Sequence, residues 1–75
     1  MTTSMALLER MILDGSRGAA RMKVEGLCRL MNEQHHWPSE KTFRTLRLLT
    51  AQNRAKTDRH GYVWLPKRIV QEYEG

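Results

Sequence analysis

The sequence predicts an α+β fold: three helices in succession, then a two-stranded β-hairpin and a short tail. Three observations lead to it. Apolar residues recur at helical spacing in three stretches; Gly- and Pro-containing breaks separate those stretches; two short β-compatible runs flank a glycine near the C-terminus. Seventy-five residues, 40% of them apolar and 28% charged, allow one small core under a well-solvated surface, so residues 1–75 are expected to form a single domain. A core of this size is marginal, because a chain of about 60 residues buries only ~60% of what it exposes when unfolded. It leaves little room for a large catalytic cleft.

The first helix is expected over about residues 4–14. Ser4 is a candidate N-cap, and Leu7, Leu8, Met11 and Ile12 form one apolar stripe. Gly15 is placed to end it in a left-handed cap, and Gly18 loosens the loop that follows. Met22-Lys23-Val24 reads as a short extended lead-in. Val24, Leu27, Cys28, Leu30 and Met31 then space as a second amphipathic helix, about 24–33, and Gln34-His35-His36-Trp37-Pro38 is the turn that breaks it. Ser39 can cap a third helix, about 39–53, with Glu40 in its first turn favouring the positive end of the helix dipole. At 100° per residue, Phe43, Leu46, Leu49, Thr50 and Asn53 cluster on one side and are expected to pack inward. Glu40, Lys41, Arg44, Arg47, Leu48 and Ala51 lie outward, with Thr45 and Gln52 at the edge. Residues 54–66 read as the hairpin, closed by Pro66. In residues 67–75, Ile69, Val70 and Tyr73 fit either a short helix or a strand.

The two tryptophans carry alternatives. Trp37 is either a staple onto Phe43 or the first helix, or a platform that stacks on a base or sugar, and core packing is favoured because aromatics dominate small cores. Trp64 alternates with Val63, so one faces the core and the other faces out.

Several function classes are disfavoured. A lone cysteine, Cys28, forms no intramolecular disulfide, which fits a reducing cytoplasm. No apolar run approaches the ~18 residues of a membrane span, and the N-terminal segment lacks the pattern of a secretion signal. Cys28, His35, His36 and His60 hold metal-capable atoms, but no CxxC or HxxxH pair exists, so no metal site or cofactor is expected. Neither paired carboxylates on one face nor a serine with base and acid at recognisable spacing is present, so the expectation is not an enzyme.

Charge points to a partner. Thirteen Lys+Arg against eight Asp+Glu leave +5, and the excess is local: residues 39–68 carry eight basic and two acidic side chains, a net of +6. Charge of this kind argues for a polyanion.

The order of elements in MKVEGLCRLMN, PSEKTFRTLRLLTAQNRAK and RAKTDRHGYVWLP resembles the winged helix-turn-helix family over roughly residues 4–66. MarR-type repressors and Z-nucleic-acid-binding domains are similar in ordering. The latter share the proline before the helix, Leu46, Leu49 and Trp64, but Phe43 and Arg47 stand where that family has asparagine and tyrosine, which argues against left-handed duplex recognition. The resemblance implies a DNA-binding domain in which the third helix recognises DNA and the hairpin is a wing. It further implies a small transcriptional regulator, of a size common in phages, plasmids and other mobile elements.

A helix enters the major groove, and arginines on its outer face reach guanine edges or phosphates. Arg44 and Arg47 are the candidates for base contacts, with Lys41 and Thr45 beside them. Ser39 and the free amides at the helix start can hold a phosphate. Arg54, Lys56, Arg59 and His60 would track the backbone or enter the adjacent minor groove. The partner is then double-stranded DNA. Because one such module covers only ~600–1,000 Å², a homodimer or tandem binding is expected, with Leu7, Met11 or the tail around Ile69, Val70 and Tyr73 able to supply an interface. The rival reading is a protein-interaction module, an inhibitor or adaptor of a larger complex, to which outward Leu48 and Trp37 would contribute.

Overall fold

The computed structural model describes residues 3–16 and 21–74. Four helices and three short strands follow one another as α1 (Ser4–Ser16), β1 (Met22–Lys23), α2 (Val24–His35), α3 (Ser39–Ala51), β2 (Lys56–Thr57), β3 (Tyr62–Trp64) and α4 (Lys67–Glu74). The fold is α+β, as expected, with one more helix and one more strand than the sequence reading contained. No helix among the described residues is long and apolar enough to cross a membrane.

Helix α1 is capped one residue earlier than expected. The Thr3 hydroxyl oxygen accepts the Ala6 N–H at 3.0 Å, so Thr3 is the cap and Ser4 the first helical residue. At the other end Gly15 stays helical, and the Ser16 hydroxyl donates to the Ile12 carbonyl at 2.7 Å. Gly18 lies outside the described residues. Leu8 and Ile12 are fully buried, while Leu7 and Met11 pack partly against the core.

The extended lead-in is a true strand. β1 pairs antiparallel with β3 (Met22 opposite Val63, Lys23 opposite Tyr62), and β2 pairs with the other edge of β3 (Lys56 opposite Trp64, Thr57 opposite Val63). The sheet is therefore three-stranded, in the order β1-β3-β2, where a two-stranded hairpin was expected. Central Val63 is fully buried and Trp64 faces the opposite side. The Arg21 guanidinium lies 4.0 Å from the Trp64 ring centre, a cation–π contact. The turn is held by Asp58, one carboxylate oxygen of which accepts the N–H groups of His60 (2.9 Å) and Tyr62 (3.1 Å). Gly61 follows at φ 84°, a conformation that suits glycine.

Helix α2 runs two residues past its expected end and stops at His36 in a left-handed conformation (φ 58°), whose N–H donates to the Asn32 carbonyl at 3.0 Å. Only His36, Trp37 and Pro38 separate it from α3. Trp37 is buried in the core, and the Asn32 side-chain amide donates to its carbonyl at 3.1 Å. Ser39 is not the cap of α3: Pro38 occupies that position without a side-chain cap bond, and Ser39 is the first helical residue. The tail, left open between helix and strand, is helical. Pro66 accepts the N–H groups of Ile69 and Val70, and Ile69 is fully buried. One core joins Leu8, Ile12, Leu27, Met31, Leu49, Val63 and Ile69.

Candidate nucleic-acid interface

Helix α3 determines what the outer surface offers. Its buried residues are Thr42, Thr45, Leu46 and Leu49, a stripe rolled by ~50° from the expected one at 3.6 residues per turn. Two consequences correct the sequence reading. Phe43, expected inward, is 50% exposed, and Thr45, expected at the edge of the outer face beside the reading arginines, is largely buried at the floor of a shallow depression it shares with Pro38, Glu40, Lys41 and Arg44. The roll follows from packing against two helices at once. The small threonines occupy the packed side of α3, and the bulkier ring is left on the flank. The buried Thr42 hydroxyl has no hydrogen-bond partner among the described residues, a cost of placing a threonine there.

Lys41, Arg44, Arg47, Leu48 and Ala51 are exposed, as expected of the outer face. Arg44 pairs with Glu40 at 3.0 Å across one turn. Both side chains are largely in water, so the pair is weak and Arg44 can exchange it for a stronger anion. Lys41 lies with its ammonium 4.5 Å from the Trp37 ring centre, which orients it at the start of the helix. Arg47, Lys56 and Arg59 have no carboxylate partner among the described residues.

Strand β2 borders this face. Thr57 shares a shallow depression with Phe43, Leu46, Arg47 and Thr50, so the hairpin stands beside the exposed side of α3. Lys56 on that hairpin and Arg59 and His60 at its tip are exposed. The hydrogen bonds from Tyr62 and His60, with the charge of Arg21 beside it, hold the Asp58 carboxyl below the usual carboxylate range, so the turn stays anchored near neutral pH. Ser39 is exposed at the start of α3 and lines a groove with Glu25, Cys28, Arg29, Asn32 and Phe43. Burial, with Glu25 nearby, pushes the Cys28 thiol up, which disfavours its thiolate.

Arg54 is not part of this surface. Its guanidinium donates to both carboxylate oxygens of Glu9, at 2.6 and 3.1 Å, and to Glu72 at 3.2 Å. The Tyr73 hydroxyl donates to the same Glu9 carboxylate. Arg54 therefore ties α1, the root of the hairpin and α4 together, and its charge is matched by Glu9 and Glu72 in a partly exposed cluster. Sequence reasoning missed Glu9 because a charge next to Leu8 in an apolar stripe reads as a helix flank. Its partners lie 45 and 64 positions away. Among the described residues no group of three His, Cys, Asp or Glu converges on a metal-sized site.

No protein-family description, curated protein or solved structure matches the chain. What remains as a candidate site is Lys41, Arg44 and Arg47 on one helix face, Ser39 at its start, and Lys56, Arg59 and His60 on the hairpin that borders it.

Proposed function

We propose that the chain binds double-stranded DNA with sequence selectivity, as a small winged helix-turn-helix regulator of transcription. The observation that carries this reading is the exposed face of α3, where Arg44 and Arg47 stand outward next to the basic hairpin, separated from α2 by a three-residue turn. With α3 in the major groove, Arg44 and Arg47 meet guanine edges or phosphates, Lys41 and Ser39 meet a phosphate at the helix start, and Lys56, Arg59 and His60 follow the neighbouring backbone. Arg54 has no role in contact; its place is to fix the hairpin root.

The test is a salt-titrated binding assay on random duplex DNA, comparing the wild type with Arg44→Ala/Arg47→Ala. A drop in affinity of at least tenfold is expected, with a shallower salt dependence. Equal binding by both proteins would remove α3 as the recognition helix.

A second reading has one observation in its favour. Phe43 and Leu48 are about half exposed on opposite flanks of α3, and an apolar pair on a basic helix also suits a protein-interaction module that docks on an acidic partner. Trp37, which would have supported that reading, is buried. Absence of any duplex binding at low salt selects the protein partner.

A further inference from the structure

We infer that Phe43 is a specificity-determining residue that reads the 5-methyl group of a thymine in the major groove, beside a base contacted by Arg47. This rests on the DNA reading above and adds what the helix prefers to bind. Among the exposed large apolar side chains, Tyr73 is engaged through its hydroxyl with Glu9, and Leu48 projects from the other flank of α3. Phe43 alone shares a shallow concavity with Glu40, Arg44 and Arg47, so the ring sits among the charges that would draw it to DNA.

Position and chemistry agree. Phe43 is the fifth residue of α3, in the N-terminal half that meets base edges when a recognition helix docks. Arg47 follows one turn later, with Cβ atoms of such a pair ~5–6 Å apart, while stacked bases are spaced ~3.4 Å, so the two side chains span one or two base steps. A phenyl ring pressed on the polar edge of guanine, cytosine or adenine would strip water from donors and acceptors without replacing their hydrogen bonds. The C5-methyl group of thymine is the one apolar feature that the major groove presents. A ring carried into that groove by flanking arginines is therefore favoured only where a thymine lies beneath it.

The experiment enriches a randomised duplex pool with the wild-type chain, then remakes the enriched duplex with deoxyuridine in place of thymidine, one position at a time. Removal of the critical methyl is expected to weaken wild-type binding about fourfold, the worth of one methyl taken out of water. Phe43→Ala should bind both duplexes equally, and Phe43→Leu should keep part of the discrimination. Because the ring is half in water, both variants are expected to melt near the wild type, and Phe43→Leu carries the test should the alanine variant fail to fold. Indifference of the wild type to uracil at every position, or full discrimination by Phe43→Ala, overturns the inference while leaving DNA binding intact. A pool that binds but stays random overturns it as well. Failure to bind any duplex overturns this inference and the DNA reading together.

Discussion

A carboxylate side chain only 5% exposed in the middle of α1 persists because two groups converge on it: the bidentate, positively charged Arg54 guanidinium and the Tyr73 hydroxyl. Burial alone would raise the Glu9 carboxyl; the bonds from Arg54 and Tyr73 outweigh it and hold the group below its ordinary value of 4.5. A folded value below the unfolded one means that this contribution is complete above about pH 5 and is lost as pH falls through the folded value. Tyr73 has the opposite sign. Burial, the hydrogen bond that its hydroxyl donates to Glu9 and the negative charge of Glu9 push it from 10.0 up to about 12, so its contribution holds below pH 10 and is lost as pH rises towards 12. Glu9→Gln should cost about 2–3 kcal/mol at pH 7 in urea unfolding and flatten the acid limb of the stability profile. An acid limb as steep as that of the wild type would mean that Glu9 does not drive it.

On the scale of elements, the hairpin and α2 each carry a prediction. If Lys56 and Arg59 follow the DNA backbone, Lys56→Ala/Arg59→Ala should make the slope of log affinity against log salt shallower by about 2, whereas Arg54→Ala should lower stability and leave that slope in place. A slope reduced by Arg54→Ala but untouched by the Lys56/Arg59 pair would place the cationic contact on the wrong residues. In α2, Gly26 has ordinary helical geometry, and a Cβ built there meets nothing within 4 Å. Gly26→Ala should raise stability by about 0.5–1 kcal/mol, read as a higher urea midpoint, since only the unfolded chain benefits from the glycine. Three helices, their order and the hairpin were legible because spacing and breakers are local. The C-terminal end of each of the three helices moved by two residues, as at Ala51 rather than Asn53, where left-handed Asn53 and the bond from Arg54 N–H to the Leu49 carbonyl close α3.

For the molecule as a whole, α4 acts as a clasp. Ile69 is fully buried, the Arg68 guanidinium donates to the Asn53 carbonyl at 2.6 Å, and Glu72 and Tyr73 complete the cluster around Arg54 and Glu9. A homodimer would thus have to do without Ile69 and without a free Tyr73 hydroxyl, leaving the exposed Tyr73 ring and partly buried Leu7, Met11 and Val70 as the apolar contributors. Ile69→Ala removes a core side chain in a domain with little to spare, so a loss of about 3 kcal/mol and a Tm lower by about 10–20 °C are expected in a thermal melt. A shift of only a degree or two would show that the tail is dispensable.

The sequence by itself determined the helix and hairpin order, the concentration of cations after residue 38, and the exposure of Lys41, Arg44 and Arg47, all of which follow from spacing along the chain. Only the tertiary structure decided which cations remain for a partner. Arg54 and Arg47 look alike in sequence, yet one is closed inside a three-element ion cluster and the other stands in water, because a charge is neutralised by whatever folding brings within hydrogen-bond reach. The same holds for Phe43 and Thr42. Periodicity admits either as the inward residue, and the close packing of α3 against α1 and α2 chose the smaller one.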